Sequence, residues 1–203
     1  MLKKIANFWY YYKYYILVAI VAAVALGAVI KSCSEKKNYD TGVLLLTHGH
    51  SESFYETDPL CQALAAYASD SNGDGSVDVE LVVVNYGNTV EQNNSALAAR
   101  SANLAAGRNV IFLLDGKNYE ELRDGGFLAD MSGLGSSEYL QGDRFDVLSS
   151  GIFSDVPDFG TDGEEYWLCL RVLDEKRAET DKKYASQYDT AKAFMKNVIE
   201  KFK

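Results

Sequence analysis

The sequence is poor in three kinds of residue, and each shortage argues against a class of protein. Three cysteines in 203 residues are too few for a disulfide scaffold. Two histidines leave little scope for imidazole chemistry. The 20 Lys and Arg residues are outnumbered by 29 Asp and Glu residues, which gives a formal net charge of -9. Phosphate backbones repel so acidic a chain, so we expect no nucleic-acid binding.

The few basic residues are unevenly placed along the chain. Residues 1–31 contain four lysines and no acidic residue, which leaves 16 basic and 29 acidic residues, or a charge of -13, for the rest. Hydrophobic residues make up 47% of the chain and charged residues 24%, which is typical of a globular protein. The length suits one ordinary domain. We therefore expect a short basic head followed by one acidic globular domain.

Residues 14–30 form an uncharged apolar run, YYILVAIVAAVALGAVI. As a helix this run would be about 25 Å long, and the flanking aromatic residues with Lys13 and Lys31 extend it towards a bilayer core of about 30 Å. The run ends in Val-Ile-Lys, a poor site for signal-peptide cleavage. The sequence predicts an uncleaved single-pass anchor in the lipid bilayer. A cleaved signal peptide and a lipoprotein attached through Cys33 are the alternatives.

The lysines on the two sides of this run nearly balance under the positive-inside rule. A short head before the first apolar run usually stays in the cytoplasm, so we expect the acidic domain to lie outside the cell membrane. The predicted organisation is a cytoplasmic head at residues 1–13, a transmembrane helix at 14–30, a linker at 31–41 and an extracytoplasmic domain at 42–203.

The hydrophobic pattern of that domain alternates between buried strands and amphipathic helices. It predicts strands at residues 42–47, 76–86, 109–115 and 165–173, and helices at residues 58–69, 91–106, 119–125 and 189–202. The second helix is predicted to end at a Gly107 C-cap. Residues 132–163 are rich in Gly, Ser and Asp and are predicted to be surface loops. The regular alternation predicts an α/β fold with a mostly parallel sheet and right-handed crossovers.

Two segments carry a resemblance to a known family. Residues 104–115 read LAAGRNVIFLLD, and after a short helix residues 126–131 read GFLADM. This pattern resembles extracellular solute-binding proteins of ABC importers, of the type II periplasmic-binding kind. In that family a helix ends in Gly, a strand carries a run of Asp, Ile or Val, and an aromatic residue, and a helix closes on Gly-x-Leu-x-x-Leu.

The resemblance covers residues 42–134 and implies the first lobe of the solute-binding fold, a three-layer domain, in an extracytoplasmic location. Only about 70 residues follow Gly133, too few for a full second lobe. A single lobe is therefore what the resemblance implies. The aromatic head, FWYYYK, is also similar to that of small membrane-anchored hypothetical proteins of Gram-positive bacteria.

The sharpest local motif is DSNGDGSVD at residues 70–78. It matches D-x-N-x-D-G, the first half of an EF-hand-type calcium loop, and Gly75 would make the sharp turn. Position 12 of the loop is Leu81 instead of the usual bidentate Glu, and a strand follows instead of a helix. Either a weak structural calcium site or a tight helix-to-strand turn fits this pattern. The candidate calcium ligands are Asp70, Asn72, Asp74, Ser76 and Asp78.

A second motif, His48-Gly-His50-Ser-Glu52, follows the first predicted strand. Open parallel sheets bind ligands at this edge, and two imidazoles with a carboxylate could hold zinc. No third histidine exists, so a polar surface loop is the favoured interpretation. Ser51 and Ser53 lie close in sequence, but no strand–turn–helix elbow surrounds them, so we do not assign either as a nucleophile.

The sequence leaves the state of Cys61 and Cys169 open, since both buried thiols and one disulfide are compatible with an extracellular domain. For function, we expect a non-enzymatic binding or interaction domain with a protein partner at the cell surface, accessory to a transporter or an envelope complex. The alternative is a small-solute-binding protein of an importer, with ligand near residues 47–53, 86–88 and 115–118. A zinc hydrolase centred on the histidines is a remote alternative.

Overall fold

The computed structural model describes residues 39–48, 57–157, 159–161 and 163–203, together with Val18, but not the side chains of residues 57 and 58. The chain divides into two compact units, Met1–Asn38 and Tyr39–Lys203. The predicted head and membrane span, and most of the predicted linker, belong to the first unit and, apart from Val18, lie outside the described residues. Within the described part of the chain, no helix is both long and apolar enough to cross a bilayer.

The second unit is an α/β domain, as the sequence predicts. Its strands are β1 (Thr41–His48), β2 (Val79–Tyr86), β3 (Ile111–Asp115), β4 (Leu140–Gln141), β5 (Arg144–Asp146) and β6 (Tyr166–Leu170). Its helices are α1 (Thr57–Ala65), α2 (Val90–Ala106), α3 (Gly116–Asp124), α4 (Val147–Ser150), α5 (Glu175–Thr180) and α6 (Lys182–Lys201).

The six strands form one mixed sheet in the order β2-β1-β3-β6-β5-β4. β1 pairs in parallel with both β2 and β3, whereas β6, β5 and β4 continue the sheet through antiparallel pairings. The sheet is thus parallel at one end only, which corrects the prediction of a mostly parallel sheet. β4 and β5 lie inside the predicted loop region, because strands of two and three residues are too short to show a hydrophobic period.

Apolar side chains of β1 point alternately to two separate clusters, as expected for a strand buried on both faces. Val43 and Leu45 belong to the cluster that α1 and α6 cover, which also contains Leu60 and Phe194. Leu44 and Leu46 belong to the cluster that α2 and α3 cover, together with Ala96, Tyr119 and Leu122. Helices therefore pack on both faces of the sheet.

The two described cysteines, Cys61 and Cys169, belong to elements that pack on opposite faces of the sheet. Cys169 is a buried free thiol among the residues that α2 and α3 cover, and its burial raises the pKa of the thiol well above the ordinary value. Cys61 lies on α1, whose Leu60 and Leu64 pack on the other face. The two cysteines do not form a disulfide with each other.

The ends of α2 match the prediction, whereas the start of α6 does not. Gly107 is the C-cap of α2 with a left-handed φ of 58°, and Thr89 forms a capping box at the other end. α6 begins at Lys182, seven residues before the predicted start, with Asp181 as N-cap. The first two turns of α6 bury Tyr184 and Tyr188, whose hydroxyl groups reach backbone atoms.

Replacing Gly107 should destabilise the domain measurably. In Gly107→Ala the new Cβ would clash with the Arg177 guanidinium, which donates a hydrogen bond to the Ala106 carbonyl at the end of α2. A left-handed residue other than glycine also costs about 1–2 kcal/mol. We expect the free energy of unfolding in urea to fall by about that amount. Gly133→Ala, where the Cβ would meet no atom within 4 Å, is the matched control and should be neutral.

Candidate functional site

The first three strands end at a common edge of the sheet, where polar side chains replace the apolar core. β1 and β3 are parallel neighbours, but the helices that follow them, α1 and α3, pack on opposite faces. A crevice at the carboxyl ends of two such strands is where open α/β sheets bind ligands. His48, Tyr86 and Asp115 are the last residues of β1, β2 and β3, and all three lie at this edge.

His48 is held from two sides. Its Nδ1 lies 2.7 Å from Asp115 Oδ2, and its ring stacks on Tyr86 with 4.4 Å between centroids and an interplanar angle of 9°. The His48 side chain is 28% exposed, whereas that of Asp115 is 1% exposed. The imidazole therefore reaches the surface while the carboxylate that orients it stays buried behind it.

Asp115 joins this site to the start of α3. It is the N-cap of α3, and its Oδ1 accepts hydrogen bonds from the backbone N–H of Asn118 at 2.8 Å and from the Asn118 side-chain nitrogen at 2.9 Å. Three donors, with His48 Nδ1 as the third, thus surround the carboxylate. The predicted helix began at Tyr119, so the sequence analysis placed Asp115 at the end of a strand and missed its capping role.

Asn118 is fully buried, and no described residue donates a hydrogen bond to its Oδ1. Its amide nitrogen lies 3.2 Å from His48 Nδ1, so the amide packs directly against the imidazole. Leaving a buried acceptor without a donor costs about 1–3 kcal/mol, and such groups in folded proteins call for an explanation.

Tyr86 is fixed in turn by residues of the two neighbouring helices. Arg100 of α2 donates to the Tyr86 hydroxyl at 3.3 Å and pairs with Glu121 of α3 at 2.5 Å. Burial alone would lower the pKa of Arg100, but these two hydrogen bonds raise it above its ordinary value. The charged guanidinium therefore holds the ring on which His48 stacks.

The structure brings together three of the segments in which a ligand site was predicted. His48, Tyr86 and Asp115 meet at one edge, with Asn118 beside them. The remaining residues of the histidine motif, His50 to Ser53, lie outside the described residues. The predicted zinc set is therefore represented in the described chain by one ligand, His48.

The predicted calcium loop connects α1 to β2 and is exposed. Its side-chain oxygens accept hydrogen bonds from the loop itself: Asp70 from the backbone N–H groups of Gly73 and Gly75, and Asn72 from that of Asp74. Asp74 accepts in the same way from Ser76, whose hydroxyl also donates to Asp78. The five candidate ligands are thus parts of one turn, but their side chains bind backbone or one another.

Asp40 anchors this loop to the start of β1. The sequence predicts a linker at this position and gives no sign of the anchoring role. Only 6% of Asp40 is exposed. Its Oδ1 accepts from the backbone N–H groups of Ser71 and Asn72 at 2.7 and 3.1 Å, and its Oδ2 accepts from that of Asp78 at 2.8 Å. Burial alone would raise the pKa of Asp40, but these hydrogen bonds lower it below the ordinary value.

The described part of the chain contains no ready-made cluster of metal-ligating side chains. Among the residues described, no three or more His, Cys, Asp or Glu side chains are grouped so that they could hold an ion. A carboxylate has about four lone-pair sites, so the hydrogen bonds that Asp70 and Asp74 accept within the loop do not by themselves prevent either side chain from binding an ion. Calcium binding by this loop stays a prediction.

Removing the Asp40 carboxylate should change both stability and its pH dependence. Asp40→Asn loses an acceptor for the Asp78 N–H, which should lower the free energy of unfolding by about 1–3 kcal/mol at neutral pH. A lowered pKa means that the ionised group stabilises the fold above its unfolded pKa, about 3.9, and that this stabilisation is lost as the pH falls through the folded value.

Urea unfolding of both proteins at neutral pH and near pH 3 measures this effect, and we expect the gap between them to shrink in acid. Asp189→Asn, at an exposed ion pair of α6, is the matched control. An equal gap at both pH values would contradict the anchoring role of the ionised carboxylate.

The calcium prediction can be tested through thermal stability. If the loop binds calcium, the ion should raise the melting temperature of the full-length protein, because it binds only the folded loop. Asp74→Ala should then abolish the rise, since this carboxylate occupies the central position of the motif. Magnesium, which prefers a smaller octahedral site, serves as the control ion. A calcium response that persists in Asp74→Ala would rule out the assignment.

Comparison with known proteins adds no relative from which a role could be transferred. No family model, no curated protein and no solved structure matches this chain. The resemblance to solute-binding proteins therefore depends on the motifs at residues 104–115 and 126–131, and the function has to be argued from the site itself.

Proposed function

We propose that the chain is a membrane-anchored, extracytoplasmic binding domain without catalytic activity, and that it binds a small solute at the carboxyl edge of β1 and β3. The observation that carries this proposal is the arrangement of His48, which is hydrogen-bonded to the buried Asp115 and stacked on Tyr86 at a topological switch point. Such a rigidly held, partly exposed ring suits recognition of a ligand. The proposed fold of this domain is one lobe of the solute-binding kind.

Binding is favoured over hydrolysis by the neighbours of His48. The polar atoms of described residues within hydrogen-bonding distance of its ring nitrogens belong to Asp115 and Asn118, so no described hydroxyl or thiol is placed for activation by the imidazole. A general base must lie within hydrogen-bond reach of the proton that it removes. The pair of His48 and Asp115 therefore serves here to orient a ring.

The proposed location of the domain outside the membrane is based on the apolar run and on the charges that flank it in the sequence. Residues 14–30 are apolar and the segment before them is basic, while the domain itself is strongly acidic. In the proposal, residues 14–30 anchor the chain in the lipid bilayer with the domain outside. A single lobe covers only one side of a bound solute, so a protein partner at the cell surface, such as a transporter or an envelope complex, would supply the other side.

A second candidate function, docking of a protein partner without any solute, is favoured by one surface of α2. Val90 is 78% exposed and Leu97 is 48% exposed. They lie seven residues apart and hence on the same side of the helix. Of the seventeen residues of α2, Ala96 alone is buried. In this alternative, Val90 and Leu97 would belong to the surface that contacts the partner.

Thermal shift of the full-length protein in detergent, against panels of sugars, amino acids and peptides, tests the first proposal. A solute that binds the folded state at a hundredfold excess over its Kd stabilises it by about 2.7 kcal/mol. We expect at least one solute to raise the melting temperature, and His48→Phe, which keeps a ring on Tyr86, to lose that rise.

Leu97→Ser on α2 is the companion variant and should keep the response to the solute. Loss of the response in Leu97→Ser with retention in His48→Phe would place binding on α2 and contradict the site at the strand ends. If no compound in the panels changes the melting temperature, the solute-binding proposal falls and docking through α2 becomes the better interpretation.

A further inference from the structure

β2 forms one edge of the sheet. Among the described strands it pairs with β1 alone, in an unbroken register that runs from Val79 to Tyr86. An edge strand presents a row of backbone N–H and C=O groups to the side that lacks a neighbouring strand, and another chain can pair with them. We name residues 79–84 the β2 edge, because Tyr86, at the end of the strand, already belongs to the site of His48.

The two edges of the sheet are protected unequally against such pairing. Folded proteins usually protect an edge with a very short strand, a proline, a bulge or lysine side chains. The opposite edge has the first of these devices, since β4 is two residues long. β2 reads VELVVVNY, with Glu80 as its one charged residue, with neither Pro nor Lys, and without a bulge in its register with β1. β2 therefore keeps the features that pairing with a further strand requires.

The side chains of the β2 edge are only partly covered by the helices. Leu81 and Val83 pack beside the cluster that α1 and α6 cover, Val82 packs beside the cluster that α2 and α3 cover, and all three are half-buried. The β1 residues that pair with them are fully buried. A strand added at the β2 edge would thus remove further apolar surface from water on both faces of the sheet.

The charges around the β2 edge decide which kind of strand fits it. Residues 38–99, which contain β1, α1, β2 and the start of α2, include nine Asp and Glu residues and no Lys or Arg, whereas residues 100–203 include 19 acidic and 14 basic residues. Asp70 and Asp74 are exposed in the loop before β2, and Glu80 is exposed on the strand itself. This half of the domain therefore attracts a basic segment and repels an acidic one, including β2 of a second copy.

The pleat of β2 favours a partner in which two kinds of residue alternate. Side chains alternate between the faces of a strand, so Glu80 and Val82 lie on one face and Leu81 and Val83 on the other. A paired segment that alternates apolar and basic residues would place its apolar side chains beside Leu81 and Val83 and its basic ones beside Glu80. The aliphatic stems of Lys or Arg would also cover Val82.

We propose that the β2 edge takes an extended segment of a partner protein as an additional strand, and that this segment alternates apolar residues with Lys or Arg. Backbone hydrogen bonds to β2 supply the affinity, and the alternating side chains supply the preference for this partner. The β2 edge is distinct from the solute site at His48, so the inference goes beyond the proposed function and does not depend on it.

The test uses the full-length protein in an uncharged detergent and a fluorescent peptide of alternating Val and Lys that has the length of β2. Fluorescence anisotropy gives the half-saturating concentration of the peptide, and hydrogen–deuterium exchange read by mass spectrometry shows which backbone N–H groups it protects. We expect saturable binding that slows exchange within residues 79–84, because the added strand pairs with their backbone.

Two matched peptides separate backbone pairing from charge. Methylation of the backbone nitrogens of one central Val and the adjacent Lys keeps every side chain and the charge, but it removes an N–H donor from each edge of the peptide. Replacement of each Lys by Glu keeps the alternation and reverses the charge. We expect both changes to abolish binding and the protection of residues 79–84.

Matched protein variants locate the contact. Glu80→Lys should raise the half-saturating concentration of the basic peptide about fivefold or more, since an exposed ion pair contributes up to about fivefold and the reversal adds repulsion. Glu179→Lys, at an exposed position of α5, changes the net charge equally and should have a much smaller effect. His48→Phe should bind the peptide normally, so that this inference and the proposed solute site stand or fall separately.

Four results would overturn the inference: no saturable binding of the basic peptide, equal binding of the methylated or the acidic peptide, protection confined to segments other than residues 79–84, or equal effects of Glu80→Lys and Glu179→Lys. Protection of residues 79–84 that grows with protein concentration in the absence of peptide would also overturn it, because the strand would then be covered by a second copy of the chain.

Discussion

The hydrogen bond between Asp115 and His48 is the interaction on which the candidate site depends. Asp115 ends β3 and caps α3, and through His48 it is joined to the end of β1. One buried carboxylate thus fixes two neighbouring strands and a helix relative to one another. His48 also stacks on Tyr86 at the end of β2, and Arg100 of α2 donates a hydrogen bond to the Tyr86 hydroxyl. These contacts connect β2 and α2 to the same site. The positions of these side chains therefore depend on the parallel part of the sheet, which consists of β2, β1 and β3.

The parallel part is also the part that sequence analysis predicts well. β1 and β3 are apolar runs bounded by turn residues, and such runs have few alternatives to a strand buried on both faces. β2 is also mostly apolar, but it lies at the edge of the sheet and is only partly buried. Beyond β3 the prediction fails, because β4 and β5 have two and three residues and are defined by their pairing with a neighbour. The start of α6 was missed for a similar reason: Tyr184 and Tyr188 are buried through tertiary contacts that a local period does not show.

The site itself could be predicted only in outline. That strand ends would meet at one edge follows from parallel topology, which is why residues near His48, Tyr86 and Asp115 could be expected to lie together. Which side chains bond to which could not be predicted, because the bonds join positions 67 and 70 residues apart. Asn118 gives no signal in the sequence, since asparagine in the first turn of a helix is common and its burial depends on the packing of α3.

Asp40 and Asn118 differ in how far the fold satisfies a buried polar side chain. Asp40 is nearly buried, and both of its carboxylate oxygens accept backbone N–H groups, so folding alone explains its position. Asn118 is fully buried, and no described residue donates a hydrogen bond to its Oδ1, so the described contacts leave the cost of burying that oxygen uncompensated. Asn118 lies against the imidazole of His48 at the carboxyl edge of β1 and β3. The uncompensated oxygen and the proposed ligand site therefore lie at the same edge of the sheet, where parallel sheets bind ligands.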